Sequence, residues 1–394
     1  MMASLMSVVA LAIDALLPAL DTIGIDIGTT TVADNQLLIT MIFLGLGTGP
    51  MLFGPLSDSL GRKPMVYLGF GIFFIASIIC VLSDNLIVMV LGRILQGVGL
   101  SAPRTLAIAI IRDKFSGDYM ARIMSFVTVV FLLVPIIAPA TGKWILDAYD
   151  WQSIFYVQMF IGLLVTWWFW KCQSETLKPE DRRPMTRQKF TNGFKEVVQH
   201  KSTMGYTLVS GLIVGSFLVY LSSSQHIFET QYDLKEAFPY IFAGLAIAIG
   251  TAIFSNATLV MRFGMRRIVN AASVLFFVSS LVYVLLFFGK ANPPVWVLVS
   301  FFAVQFFSIG FLFGNLRALA MEPIGHIAGI GAAITGLIST LMAVPISTFI
   351  GRYVIDTAYP LFLGFLICST LSLGVIVYLN RVYQRSVSAM SSSA

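Results

Sequence analysis

Charge is scarce in this chain of 394 residues: only 11% are Asp, Glu, Lys or Arg, while 57% are hydrophobic. A soluble domain carries about 25% charged residues. A water-soluble fold of this make-up would leave much of its apolar surface wet, so the composition predicts a polytopic membrane protein with the lipid bilayer as its solvent. Cysteine is scarce too. Cys80, Cys172 and Cys368 stand far apart, with neither C-x-x-C nor Cys/His ligand spacing, which excludes a disulfide framework and a zinc site. The three histidines, His200, His226 and His326, lie near loops and read as non-catalytic. No His/Glu or Ser/His/Asp set falls at membrane depth, which leaves an intramembrane enzyme or a non-transporting sensor only as remote alternatives. No metal or cofactor is expected. The formal charge of +6 fits basic loops held on the inner side of a membrane better than nucleic-acid binding.

What is abundant is long apolar runs, each near the ~20 residues that cross a bilayer as a helix. They fall at 2–21, 36–56, 64–83, 86–111, 121–146 and 151–171, and again at 204–227, 237–261, 267–289, 293–320, 327–353 and 358–380. The expected fold is all-α, with twelve transmembrane helices in two six-helix halves. The halves are 1–171 and 204–381, joined by a cytoplasmic linker loop at 172–203 and followed by a cytoplasmic, disordered tail at 382–394. Most basic residues fall in segments that are inside if both termini are cytoplasmic. The first outside loop carries Asp21, Asp26 and Asp34 and no basic residue, which supports that orientation. The first span has neither the charged start nor the cleavage site of a signal peptide, and reads as a mature helix.

Two short loops relate the halves. Gly54-Pro-Leu-Ser-Asp58-Ser-Leu-Gly61-Arg62-Lys63 follows the second span, and Met261-Arg-Phe-Gly264-Met-Arg-Arg267 follows the eighth, with Gly61 and Gly264 in equivalent places 203 residues apart. Gly54 and Gly61 suit close helix approach and a tight turn, and Asp58 can pair with a basic neighbour, forming a latch with Arg62 and Lys63. In the fourth span Arg93, Gln96, Gly97 and Arg104 share one helical face, and Arg112-Asp113, which closes it, is expected to join the latch with the Gly54–Lys63 loop. A charge at that depth costs at least ~2.5–3.5 kcal/mol and faces a cavity or a partner. Asp14 is the only carboxylate well inside a span, at a depth similar to Arg93. It can be neutral while buried and charged when water or a cation arrives, as a proton carrier must be. Pro135 and Pro139 at i and i+4, with Gly142, predict a kinked fifth span that serves as a hinge. Gly45/Gly49 and Gly325/Gly329 have the G-x-x-x-G spacing of close packing within a bundle.

These motifs together resemble the major facilitator superfamily. The Gly54–Lys63 loop is similar to its G-x-L-a-D-r-x-G-r-k motif, departing at Ser59, where the family usually has arginine. Arg93-Ile-Leu-Gln96-Gly97 resembles its fourth-helix motif. Asp14-Ala-Leu-Leu-Pro18 resembles the first-helix signature of twelve-span drug:proton antiporters, and Ala138-Pro139-x-x-Gly142-Lys143 their G-P-x-x-G-G motif with both outer glycines replaced. Arg112-Asp113, Trp151–Phe155 and Ala320–Gly329 point to the bicyclomycin-resistance branch. The resemblance implies a monomeric bacterial inner-membrane exporter of small amphiphilic compounds, driven by protons through Asp14 with Arg93. Its substrate cavity would use Asp14, Gln96, Arg104, Tyr220, Gln225, Gln305 and Asn315. The nearest alternative is an importer, or a metabolite or siderophore carrier, on the same fold.

Overall fold

A computed structural model describes residues 1–182 and 187–392. Arg183 and Pro184 of the linker and Ser393 of the tail lie outside the described residues. So do the side chains of Asp118, Ala121, Ser125, Leu132, Asp181, Arg187, Lys189, Phe190 and 384–392.

The described residues form helices and turns, without a strand. In chain order the helices are α1 (Met2–Asp14), α2 (Leu20–Asp26), α3 (Val32–Leu60), α4 (Arg62–Val81), α5 (Leu86–Lys114), α6 (Gly117–Ala148) and α7 (Gln152–Cys172). Then come α8 (Arg187–Gln199), α9 (Lys201–Gln225), α10 (Phe238–Phe263), α11 (Met265–Leu286), α12 (Val295–Met321), α13 (Ala328–Gly351) and α14 (Tyr359–Ser392). Among the described residues eleven stretches are long and apolar enough to cross a membrane. The longest, Val295–Gly351, holds both α12 and α13, linked by a short 3-10 segment at Glu322–Ile327. The passes are therefore the twelve expected.

Local chemistry sets several boundaries. Thr31 and Asp34 form a capping box at the start of α3, and the Asn85 side chain accepts from Val88 N–H (3.0 Å) to start α5. Pro18 has no N–H to give the Asp14 carbonyl, and the first pass breaks there, with α1 ending at Asp14 before a 3-10 turn at Leu17–Ala19. Large apolar side chains such as Ile75 (63% exposed), Trp144 (81%) and Phe254 (79%) point away from the protein, a costly surface in water and an ordinary one in lipid.

Two expectations are corrected. The linker is not all loop, because α8 forms within it, and the segment expected as a disordered tail continues α14 to Ser392. Contacts group the chain into two compact units, Met1–Phe190 with Leu221–Ala246, and Thr191–Tyr220 with Ile247–Ala394. The far end of α9 and the start of α10 thus belong with the first unit, although they follow the linker in sequence.

Inside the first unit α3 and α5 touch backbone to backbone. A Cβ on Gly97 would lie 2.0 Å from the Ile42 carbonyl oxygen, and one on Gly45 2.1 Å from that of Ile94. Gly45 and Gly49 therefore do pack within the bundle. Gly325 and Gly329 do not, since each has open space where a Cβ would stand.

Candidate functional site

Three polar centres lie along the first unit. The middle one begins with Asp14, the central residue of the Met2–Asp26 pass, at the end of α1. It is 5% exposed, and among the described residues no hydrogen bond or ion pair reaches its carboxylate. Arg93, fully buried on α5, approaches the same helix by another route. Its Nε donates to the Leu38 carbonyl (2.8 Å), Nη1 and Nη2 both donate to the Ala12 carbonyl (3.1 and 3.2 Å), and Nη1 also donates to Gln96 Oε1 (2.7 Å). Gln96 Nε2 donates in turn to Ser77 Oγ (2.7 Å), whose hydroxyl donates to the Phe73 carbonyl (2.7 Å). Similar depth put Arg93 beside Asp14, and the contact it makes there is with the backbone: Arg93 holds the carbonyl two residues before Asp14, not its carboxylate. A buried guanidinium must be hydrogen-bonded, and its planar fork suits carbonyls on two helices at once. Gly142 of α6 packs on this break so closely that a Cβ there would stand 1.9 Å from the Ala15 carbonyl oxygen. Pro135 and Pro139 lie within α6, which runs unbroken past both.

The second centre is the turn at Gly61. Its φ of 109° is open to glycine, and α3 passes directly into α4 there. The first N–H groups of α4 need acceptors, and Glu175, three residues beyond α7, supplies both: Arg62 N–H donates to Oε1 (3.0 Å) and Lys63 N–H to Oε2 (2.9 Å). Burial pushes the Glu175 carboxyl up, but the backbone donors of Leu177, Lys63, Arg62 and Thr176 prevail and hold it below the usual carboxylate range. Arg62 bridges Asp58, Ser57 Oγ (2.7 Å) and Asp113 Oδ2 (3.0 Å), and Thr176 Oγ1 also donates to Asp113 (3.0 Å). Lys63 Nζ donates to the Trp170 carbonyl at the end of α7 (3.2 Å). Of the expected latch residues Asp58, Gly61, Arg62, Lys63 and Asp113 come together. Arg112 is exposed and joins no hydrogen bond or ion pair among the described residues, and Gly54 has open space rather than a close neighbour. Sequence reading passed over Glu175, Ser57 and Thr176. The available signal was an acid at the start of a basic linker.

The third centre lies at the opposite end. Gln225 Nε2 donates to Asp21 Oδ2 (3.0 Å) and to Glu229 Oε2 (2.9 Å), while Asn35 Nδ2 donates to Asp21 Oδ1 (3.1 Å). Lys143 pairs with Asp147 (2.9 Å) and Glu236 (3.2 Å), which accounts for a lysine where the resembling motif has glycine.

In the second unit Gln305, buried on α12, donates to Ser280 Oγ (2.8 Å). Tyr220 packs edge-on against Phe302 and Phe306, with ring centroids 4.9 and 4.5 Å away. Asn315 Nδ2 donates to Asn256 Oδ1 (2.7 Å) and the Phe311 carbonyl (2.9 Å). Arg104, back in the first unit, is half-buried on α5. Gln96, Gln225, Gln305 and Asn315, expected to face substrate, are thus engaged with neighbouring helices of their own units. Among the described residues no group of three His, Cys, Asp or Glu side chains could hold a metal ion.

The sequence profile of the Major Facilitator Superfamily matches residues 2–346. The uncharacterized MFS-type transporter YdgK of Bacillus subtilis is 30% identical over 347 residues, covering 86% of this chain and 85% of that one. A bicyclomycin resistance protein homolog of Haemophilus influenzae is 25% identical over 370 residues, covering 93% and 92%. The inward-open xylose transporter XylE from E. coli superposes with a TM-score of 0.72 over 96% of this chain and 94% of that one, at 13% identity.

Proposed function

The chain belongs to the major facilitator superfamily of integral membrane transporters, and from that premise we propose that it exports small amphiphilic compounds from bacterial cells in exchange for protons. The observation that carries this reading is Asp14: a carboxylate at the centre of a pass, 5% exposed and without a hydrogen-bond or ion-pair partner among the described residues, beside a break in its helix. Such a carboxylate can be satisfied by a proton or by an arriving water or cationic group, and a site that serves both in turn exchanges one for the other. Relatives named for resistance to bicyclomycin and to multiple drugs supply the substrate class.

In this reading both termini and the Gly61 turn face the cytoplasm of a monomer in the inner membrane. Arg93 and Gln96 are positioning residues that hold the backbone of α1 beside Asp14. Asp58, Arg62, Lys63 and Asp113, anchored by Glu175, form the cytoplasmic latch, and Pro135 and Pro139, with Gly142 packed on the break in the first pass, make α6 the hinge. Arg104 is placed near the transport path. One pH unit supplies about 1.4 kcal/mol per proton, and ~2.3 kcal/mol more comes per charge for each 100 mV, enough for a steep outward gradient.

The test uses purified protein in liposomes that hold a pH-sensitive dye, under an imposed proton gradient, with amphiphilic antibiotics, dyes and siderophores added singly. Compound-dependent proton movement that disappears in Asp14→Asn is the expected result. Undiminished gradient-driven transport by folded Asp14→Asn protein would remove Asp14 from the mechanism, and a response to siderophores alone would favour a metabolite carrier.

A further inference from the structure

Glu229 was not legible as a membrane carboxylate, because it stands next to a polar loop in sequence. In the fold it belongs to a π-helical turn, His226–Gln231, that prolongs α9, and it is 7% exposed. Turns of this kind are rare and are often found at functional sites. Its Oε2 accepts from Gln225, while Oε1 has no hydrogen-bond partner among the described residues. The same Gln225 nitrogen also donates to Asp21 Oδ2, so a single neutral amide stands between two carboxylates. Asp21 is in addition part of the wall of an open polar cavity of about 340 Å³, shared with Ile25, Asn35 and Thr29, Thr30 and Thr31.

We propose that Glu229, together with Gln225 and Asp21, forms a second proton-binding site of this transporter, at the end of the first unit opposite the Gly61 turn. Two carboxylates that share one neutral donor repel each other, and an anionic oxygen buried without a donor is expensive to keep. One proton on Glu229 Oε1 relieves both conditions and leaves Oε2 free to accept from Gln225. A metal ion fits less well, because it requires several oxygen ligands and the amide presents its N–H groups to the gap. The charged neighbours do not replace the proton. Lys143 of α6 is held by Asp147 and Glu236, Lys235 lies on the following connection, and His226, Tyr232 and Asp233 flank Glu229 in the chain. The cavity opens onto Asp21, the other carboxylate of the pair. Gain of the proton keeps the end of α9 docked on α2, and its loss sets the two carboxylates against each other and loosens that contact. The transport role of the site rests on the proton-coupled reading above, but proton binding itself can be measured without any substrate.

The experiment is an infrared pH titration of the carboxylic C=O band on full-length protein in lipid, for wild type, Asp14→Asn, Glu229→Gln and Glu229→Asp. The expected result is a protonation step that is lost in Glu229→Gln, kept in Asp14→Asn and regained in Glu229→Asp. Identical titrations of wild type and Glu229→Gln overturn the proposal. If Glu229→Gln does not fold, Asp21→Asn decides: the same step must move to a different pH, and a stationary step overturns the proposal. A band that changes when Na⁺ replaces K⁺ at fixed pH assigns a cation instead and also overturns it. Loss of no step in Asp14→Asn refutes the role of Asp14 and leaves this site standing.

Discussion

The first and second units contain the same polar motif in different company. Ser77 and Ser280 are 203 residues apart, as are Gly61 and Gly264. Each serine hydroxyl donates to a phenylalanine carbonyl and accepts from a glutamine of a neighbouring helix, Gln96 in one unit and Gln305 in the other. The partner of the glutamine differs. Gln96 Oε1 accepts from Arg93, whereas three residues before Gln305 stands Phe302, and Gln305 Oε1 has no hydrogen-bond partner among the described residues. Gly97 and Arg104 likewise have Phe306 and Phe313 at their counterparts, counted from the glutamines, and these rings pack with Tyr220 and Phe217. One repeat has kept a charge that ties helices together through carbonyls, while the other has filled the equivalent place with aromatic surface. The lone acceptor on Gln305 is what remains when the donor is replaced and the acceptor is not.

In this contrast Arg93 is the most sensitive position. Arg93→Leu removes a guanidinium that serves two carbonyls and Gln96, and is expected to destabilise the first unit by about 1–3 kcal/mol for each acceptor it leaves without that donor, read as a lowered midpoint of thermal unfolding in detergent. Arg93→Lys falls between, since an ammonium cannot reproduce the fork. The glutamines separate next. Gln96→Met takes one hydrogen-bond partner from each of Arg93 and Ser77 and should cost about 1–3 kcal/mol, while Gln305→Met also removes an unsatisfied acceptor and should stay within about 1 kcal/mol. Equal losses would show that the second motif is satisfied in some other way.

The turns offer a finer comparison. Both glycines have positive φ with extended ψ, 109° and 156° at Gly61 and 79° and 151° at Gly264, a region essentially confined to glycine, so alanine is strained at each by about 1–3 kcal/mol. A Cβ at Gly61 would also meet Glu175 Oε2 at 2.6 Å, whereas Gly264 faces open space. Gly61→Ala should therefore be the worse of the two in thermal unfolding, and Glu175→Ala in the same background, which removes the atoms that the Cβ would meet, should narrow the gap. The smallest effect is the pH dependence of Glu175. Its carboxyl lies lower in the folded protein than in the unfolded chain, so its contribution is complete above the usual carboxylate range and fades as the pH falls through the folded value. Stability profiles of wild type and Glu175→Gln should converge in acid and separate toward neutral pH.

Much of the architecture could be read from hydropathy alone, because crossing a bilayer demands apolar length and the loops announce themselves by charge. Asp14 and Arg93 stood out because a charge inside such a run is rare. The kind of partner was harder to foresee: similar depth put Arg93 near Asp14, and the backbone carbonyls that hold Arg93 carry no mark in a sequence. Glu175 and Glu229 were hidden for the opposite reason, each lying beside a polar stretch in which an acid is ordinary.

The order of the helices, the break after Asp14 before Pro18 and the glycine turns are local matters, settled by hydropathy, a missing N–H and a permissive φ over a few neighbouring residues. Which groups those residues meet was decided by the crossing of helices distant in the chain. Arg93 reaches Leu38 across 55 residues, Arg62 meets Glu175 across 113, and Gln225 meets Asp21 across 204. A hydrogen bond requires its atoms within about 3 Å and in line, a condition that composition and spacing leave open and that only the packed helices satisfy.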